Sequence, residues 1–204
     1  VLLSLLMICV PSLDAQVDTA FWFAVPHITH SHAGRPIKLC VSTLGSPATV
    51  TVTQPARNNT TGTTFTVPAN SSQTYQLISS SESSLTNFEC NHNQTSNYGI
   101  YIRSTAQINA YISVQNNNSE IYALKGRNAY GKHFFIAMQG QFPNANAYSD
   151  ARNSVEIIAT QDNTTVTITP SVTLYGGGHP ANVPFTVTLN RGQVYSFASN
   201  SQAA

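Results

Sequence analysis

The five residues Thr165-Val166-Thr167-Ile168-Thr169 alternate strictly between hydroxyl and aliphatic side chains. In an extended backbone that period of two puts every aliphatic group on one face and every hydroxyl on the other, whereas a helix would scatter them around its circumference. Pro170 ends the run, because it has no backbone N–H to give a ladder. Upstream, Val155, Ile157 and Ile158 form another short apolar run. Between the two runs lies Gln161-Asp162-Asn163-Thr164, whose Asp and Asn side chains bond their own backbone and favour turns. Ser154 to Pro170 therefore reads as strand, tight turn, strand.

The same vocabulary fills the rest of the chain. Phe21 to Val25 is a short aromatic strand stopped by Pro26, Ile37 to Leu44 is a strand, and Ala48 to Thr53 alternates. Phe65-Thr66-Val67 and Thr74 to Leu77 read as the arms of a hairpin around Pro68 to Gln73. Ser79 to Asn97 is polar and reads as a long loop, then come strands at Tyr98 to Arg103 and Ile108 to Val114, with a further candidate at Ile121 to Leu124. No segment keeps a 3.6-residue period over ten residues, so the fold class is all-β.

The second half echoes the first in order. Phe134-Phe135-Ile136-Ala137 follows Phe21-Trp22-Phe23-Ala24, and Val155 to Thr160 follows Ile37 to Thr43. Thr165 to Thr169 follows Thr49 to Thr53, and Phe185-Thr186-Val187 with Gln193-Val194-Tyr195 follows Phe65-Thr66-Val67 with Gln73-Thr74-Tyr75. Any two Thr- and Val-rich strands look somewhat alike, but ordered echoes point to duplication. The expected architecture is two tandem duplicated β-sandwich-like units, residues 16–128 and 129–204. The second is expected to be truncated, since it stops before counterparts of Tyr98–Arg103 and Ile108–Val114.

Val1 to Val10 is apolar, and a short polar stretch then leads to Ala15, the pattern of a secretory signal peptide whose start is missing. Cleavage after Ala15 leaves Gln16 first; the competing reading of the run is a buried strand. It is half the roughly 20 apolar residues of a membrane span, and no other segment is long enough. Removal of Cys9 with that peptide leaves Cys40 and Cys90 in an oxidising compartment, where one internal disulfide is the simplest outcome and pairing with cysteines elsewhere the other. A loop of that length contributes about 3–4 kcal/mol on the chain-entropy view. Asn58, Asn59, Asn70, Asn93, Asn117 and Asn163 each head an N-x-[ST] sequon, the acceptor for N-linked glycans. Charged residues are only 8% of the 204 and the net charge is +1, without the basic cluster expected of a nucleic-acid partner.

With these motifs in view, the chain resembles the N-terminal domain family of IgG Fc-binding protein. The resemblance rests on Phe21-Trp22-Phe23-Ala24, on Ala123-Leu124-Lys125-Gly126 with Phe134-Phe135-Ile136, and above all on Ile158 to Pro170 (IATQDNTTVTITP) and Leu189 to Tyr195 (LNRGQVY). It covers roughly residues 18 to 197. It implies a secreted, non-catalytic binding or adhesion module within a longer multidomain chain, with a protein or glycan ligand and no cofactor. Fc binding itself is not carried over, because no residue here corresponds to an Fc contact.

Chemistry-bearing residues are few. His27, His30 and His32 form an H-x-x-H-x-H loop; three imidazoles suit Zn²⁺ or Cu²⁺, but no Glu lies nearby to act as a base, so a polar loop is the plainer reading. Packing of His133 or His179 against that loop would revive the metal site. The acids Asp18, Glu82, Glu89, Glu120, Asp150, Glu156 and Asp162 are scattered, there is no G-x-S-x-G, and Asp162-Asn163 falls short of a Ca²⁺ site. Gly176-Gly177-Gly178 lacks the Lys-Ser/Thr of a phosphate loop. Trp22, Tyr98, Tyr101, Tyr111, Tyr122 and Tyr130 offer stacking surfaces for sugars, although strand aromatics more often face a core. The expectation is a secreted, non-enzymatic binding module. A metal-dependent hydrolase using His27, His30 and His32, and a self-associating mucus or matrix component, are the alternatives.

Overall fold

The computed structural model describes residues 17–26, 36–57, 59–78, 90–114, 120–138, 152–176 and 178–200. Among them are short 3-10 turns at Pro55–Arg57 and Gly126–Ala129, no α-helix, and a set of strands. In chain order these are β1 (Val17–Phe23), β2 (Ile37–Thr43), β3 (Ala48–Gln54), β4 (Asn59–Val67), β5 (Ser72–Ile78) and β6 (Gln94–Ser96). Then follow β7 (Ile100–Val114), β8 (Glu120–Ala123), β9 (Ser154–Ile158), β10 (Thr164–Ile168), β11 (Phe185–Leu189) and β12 (Val194–Ala198). The all-β class read from the sequence holds.

The two strands expected at Tyr98–Arg103 and Ile108–Val114 are one strand, β7, of 15 residues. Its first half runs between β1 and β3 and its second half between β8 and β2, all antiparallel. The change of neighbours falls at a break: β3 pairing stops at Ser104, β2 pairing starts at Ile108, and β1 jumps from Arg103 to Ile108. There the Ser104 hydroxyl donates to the Ala106 carbonyl (2.7 Å), and Thr49 N–H donates to Thr105 Oγ1 (2.9 Å). A strand that bends this way passes from one leaf of a sandwich to the other. The sheet in the order β4-β3-β7-β2-β5 therefore curls on itself, and a stack of Phe65 on Tyr75 (5.6 Å between centroids) brings its outer strands together.

Alternation explains the faces. In β3, Ala48, Val50 and Val52 are buried, while outward Thr49 and Thr51 meet Thr66 and Thr64 of β4 at hydroxyl distances of 3.5 and 3.2 Å. The inward side chains join Phe21, Leu39, Ile102 and Ile112 in one core.

The hairpin expected around Pro68–Gln73 does not form. β4 pairs with β3 and β5 with β2, so the chain steps from one leaf to the other. Each arm thereby turns its own apolar face inward from an opposite leaf, which a hairpin would not allow. Thr43 N–H to the Ser71 carbonyl (2.9 Å) and Asn70 N–H to the Leu44 carbonyl (3.0 Å) tie this crossing to the one between β2 and β3.

The second half repeats that exchange. β9 pairs with β12 and β10 with β11, so Ser154–Pro170 is strand, turn, strand with its two strands in different sheets. Its two crossings are joined by Gly192 N–H to the Ala159 carbonyl (2.8 Å) and Ala159 N–H to the Gln193 carbonyl (3.0 Å). Phe185 meets Tyr195 at 6.1 Å, at the positions that echo Phe65 and Tyr75. A separate core gathers Val155, Ile168, Leu174, Leu189, Tyr195 and Phe197. β6, which precedes residue 128, pairs with β12 in the order β6-β12-β9. Among the described residues no helix is long and apolar enough to cross a membrane.

Candidate binding surface

The two runs that most define the family resemblance fold against each other. Asp162 Oδ1 accepts from Arg191 N–H (2.9 Å) and Asn190 Oδ1 accepts from Asn163 N–H (3.1 Å). Asn163 takes φ 54°, the left-handed turn conformation that Asn tolerates better than most residues. Gln193 Oε1 accepts from Asn190 N–H (2.8 Å), and its Nε2 donates to Asn97 Oδ1 of the first half (3.0 Å).

This pair of turns then docks on the first half. The Arg191 guanidinium sits 5.4 Å from the Trp22 ring and 5.3 Å from the Tyr101 ring, and those two rings stack at 4.4 Å. Gly192 passes so close to Pro55 and Ala56 that an added Cβ would lie 3.0 Å from the Ala56 nitrogen, and its carbonyl accepts from Gly99 N–H (3.2 Å). The Leu124-Lys125-Gly126 motif makes a fastening of its own inside the first half. Buried Leu124 donates its N–H to the Ala110 carbonyl (3.0 Å), and the following turn delivers Arg127 to Asp18. Asp18 accepts from Arg127 N–H (2.7 Å) and pairs with its guanidinium (Nη2 to Oδ1, 2.5 Å). Burial alone would raise the Asp18 pKa; the hydrogen bonds from Arg127 and Thr19 and the guanidinium charge outweigh it and hold it at about 2.

The other described acids are also engaged: Glu120 accepts from the Tyr122 hydroxyl, and Glu156 accepts from the Ser196 hydroxyl (3.3 Å). His27, His30 and His32 lie outside the described residues. His179 stacks on Phe185 (3.7 Å) and His92 Nδ1 meets the Ser196 hydroxyl (3.2 Å). No group of three metal-ligating side chains occurs among the described residues.

Cys40 and Cys90 are both buried and are not bridged in this structure: Cys40 accepts from the Thr74 hydroxyl (3.7 Å), and Cys90 Sγ meets the Ser96 hydroxyl (3.3 Å). Cys40 sits on β2 between the core residues Leu39 and Val41. Of the sequon residues, Asn70 and Asn163 are exposed on turns. The Asn93 side chain donates to the Tyr175 carbonyl, and its Oδ1 is buried with no hydrogen-bond partner among the described residues. Asn58, Asn117 and the side chain of Asn59 lie outside the description.

Most of the candidate sugar-stacking rings are already in use. Trp22 and Tyr101 are covered by Arg191, Tyr122 leans on Phe23 (6.0 Å), and Tyr111 lies against Cys40. Tyr130 remains exposed. Tyr98, with Arg57 5.5 Å above it, lines a shallow polar recess of about 520 Å³ with Asn91, Gln94, Thr95 and Asn97.

The most exposed apolar feature is the stretch matched in sequence to the aromatic strand at Phe21-Trp22-Phe23-Ala24. Phe134, Phe135, Ile136 and Met138 project into solvent along an extended stretch that pairs with no strand among the described residues; Phe134 is 65% exposed. At the echoing position Phe21 is fully buried. A consecutive apolar run of this kind marks an interaction surface. Its sequence signal was present in Phe134-Phe135-Ile136-Ala137, which has no polar alternation to give it a solvent face.

Residues 122–203 match the family model described as IgGFc binding protein, from within β8 to just past β12. The resemblance noted in the sequence is thus found over the second half of the chain, which contains both of its most specific runs. No curated protein and no solved structure matches the chain.

Proposed function

We propose that this chain is a secreted, non-catalytic binding module for an extracellular protein, carried in a longer multidomain polypeptide. The observation that carries this function is the exposed strip Phe134–Ile136, an apolar surface that a solvated domain does not otherwise leave open. The family match supports a binding-type module, and the use of the described acids in structural contacts supports binding over hydrolysis. Residues 1–15 act as its signal peptide, and Asn70 and Asn163 are the acceptors best placed for glycans.

The two halves are proposed to be copies of one unit. They share the exchange of partners between consecutive strands, the tied crossings and the Phe–Tyr contact at matching positions. The polar recess beside Tyr98 favours a glycan as the second reading.

The test is saturable binding of the chain to a panel of immobilised extracellular glycoproteins, before and after enzymatic removal of their glycans. Retained binding after deglycosylation, with loss in Phe135→Ser, is the expected result. Binding abolished by deglycosylation selects the glycan reading. Stoichiometric Zn²⁺ uptake lost in His30→Ala, with no saturable binding, selects the hydrolase. Mass that rises with concentration, again without foreign ligand, selects self-association.

A further inference from the structure

Three sequon asparagines share one backbone conformation and differ in what surrounds their side chains. Asn70, Asn93 and Asn163 have φ of 51°, 57° and 54°, the left-handed turn that Asn tolerates. Asn70 and Asn163 are exposed, as a glycan acceptor must be. Asn93 is held against the second half instead. Its Nδ2 donates to the Tyr175 carbonyl, and a Cβ added at Gly176 would lie 2.8 Å from that nitrogen. Its Oδ1 is buried without a hydrogen-bond partner among the described residues. Turning the amide over would set Oδ1 against the Tyr175 carbonyl oxygen, so the side chain keeps this orientation. The backbone around the contact is tied as well. Asn93 N–H donates to the Ser196 carbonyl (2.7 Å) and Tyr175 N–H to the Ala198 carbonyl (2.9 Å). β6 starts at the next residue, with Gln94 opposite Ser196 of β12.

Amide geometry decides where a sugar can go. N-glycosylation takes an oligosaccharide from a lipid-linked diphosphate. The bond from Nδ2 to the sugar C1 forms, the bond from C1 to the diphosphate oxygen breaks, and Nδ2 loses a proton as the lipid diphosphate leaves. The product is a planar secondary amide with C1 trans to Cβ, and therefore on the same side as Oδ1. At Asn93 that side is the buried one. The first sugar has no room while Tyr175 and Gly176 stand against the side chain.

We infer that Asn93 is a conditional glycosylation site, modified only on chains whose second half has not closed over it, and that the glycan then holds β6 off β12. Tyr175 follows Asn93 by 82 residues, so the sequon is open before its cover exists. Two forms of the chain result: closed without a sugar at Asn93, and open with one. In the cell, this modification rests on the secreted function proposed above.

The test combines unglycosylated chain purified from bacteria with a lipid-linked oligosaccharide and purified oligosaccharyltransferase. Glycopeptide mass spectrometry reads the occupancy of each site. A synthetic peptide of residues 91–99 is expected to be modified, as are Asn70 and Asn163 of the folded chain. Asn93 of the folded chain reacts ~tenfold less or slower still, because it is reached only through local opening. Gly176→Val, whose side chain pushes residues 175 and 176 off Asn93, raises Asn93 occupancy and leaves Asn70 unchanged. The second readout needs no variant. In the Asn93-modified fraction of the native chain, collected after prolonged reaction, β6 and β12 amides exchange ~tenfold faster or more, with β2 and β3 unchanged. Three results overturn the proposal: a peptide that does not react, folded chain modified at Asn93 as readily as at Asn70, or Asn93-modified chain whose β6 and β12 stay as protected as in unmodified chain. A chain that secretory cells fail to export sinks the secreted function alone, since occupancy is read on purified protein.

Discussion

Gly126 shows how closely single residues are fitted within the first half. Its φ is +58°, and a Cβ there would lie 2.5 Å from the Asp18 Cβ. Gly126→Ala is expected to cost at least ~1–2 kcal/mol for the left-handed backbone alone, read as a lower urea midpoint. The clasp it permits is pH-dependent. Asp18 is more acidic folded, at about 2, than its ordinary 3.8, so its contribution is complete above that ordinary value and disappears as pH falls through about 2. Melting temperatures measured from neutral pH to pH 2 should fall more steeply in the native chain than in Asp18→Asn, which has no charge to lose. Cys40, buried and hydrogen-bonded by Thr74, is expected to resist alkylation in the folded chain and to react on unfolding without added reductant. A sulfur that stays unreactive after unfolding would instead restore the disulfide.

Elements differ in how well they are anchored. β7 is flanked on both sides along most of its length, whereas among the described residues β10 and β11 pair only with each other. Native-state hydrogen exchange is expected to be slowest in β7 and, among the strands, fastest in β10 and β11, a ranking that protection factors measure directly. Burial of each exposed side chain of the Phe134–Ile136 strip is worth about 1.5–3 kcal/mol on docking, so Phe135→Ser should improve solubility while leaving the fold intact.

The strands themselves were legible because a half-buried strand writes its two faces into alternate residues, as Thr49 to Thr53 and Thr165 to Thr169 do. Their partners were not, because pairing is decided by distant segments. Phe65–Val67 and Thr74–Leu77 have the loop length of a hairpin, and only the presence of β2 and β3 makes them part. Polar Ser104 to Gln107 read as a gap although the backbone bends without breaking its strand. β6, three polar residues in a polar stretch, carries no local signal at all. Of the candidate surface, the apolar strip was visible as residues but not as an exposed feature, since exposure reports a missing neighbour.

Across the whole molecule the family-defining runs turn out to be fasteners. Arg191 over Trp22 and Tyr101 joins the second half to the first, beside the β6–β12 pairing and the Gly99–Gly192 and Gln193–Asn97 hydrogen bonds. Trp22 is the chain's single tryptophan, so Arg191→Ala can be followed by its emission. A red shift and a broader unfolding transition are expected, with a loss of about 0.5–1 kcal/mol for each cation–ring contact. The placement of β6 also sets an order in time. Ser96 faces Val194 across about a hundred residues of chain, and contacts so remote form late because the intervening loop must close first. As the chain emerges during synthesis, β7 can complete the first sheet while β6 waits, already made but idle, for β12 to arrive. Maturation of the second half is therefore the slow step, and a pulse of labelling during refolding should find β2, β3 and β7 protected well before β6, β9 and β12.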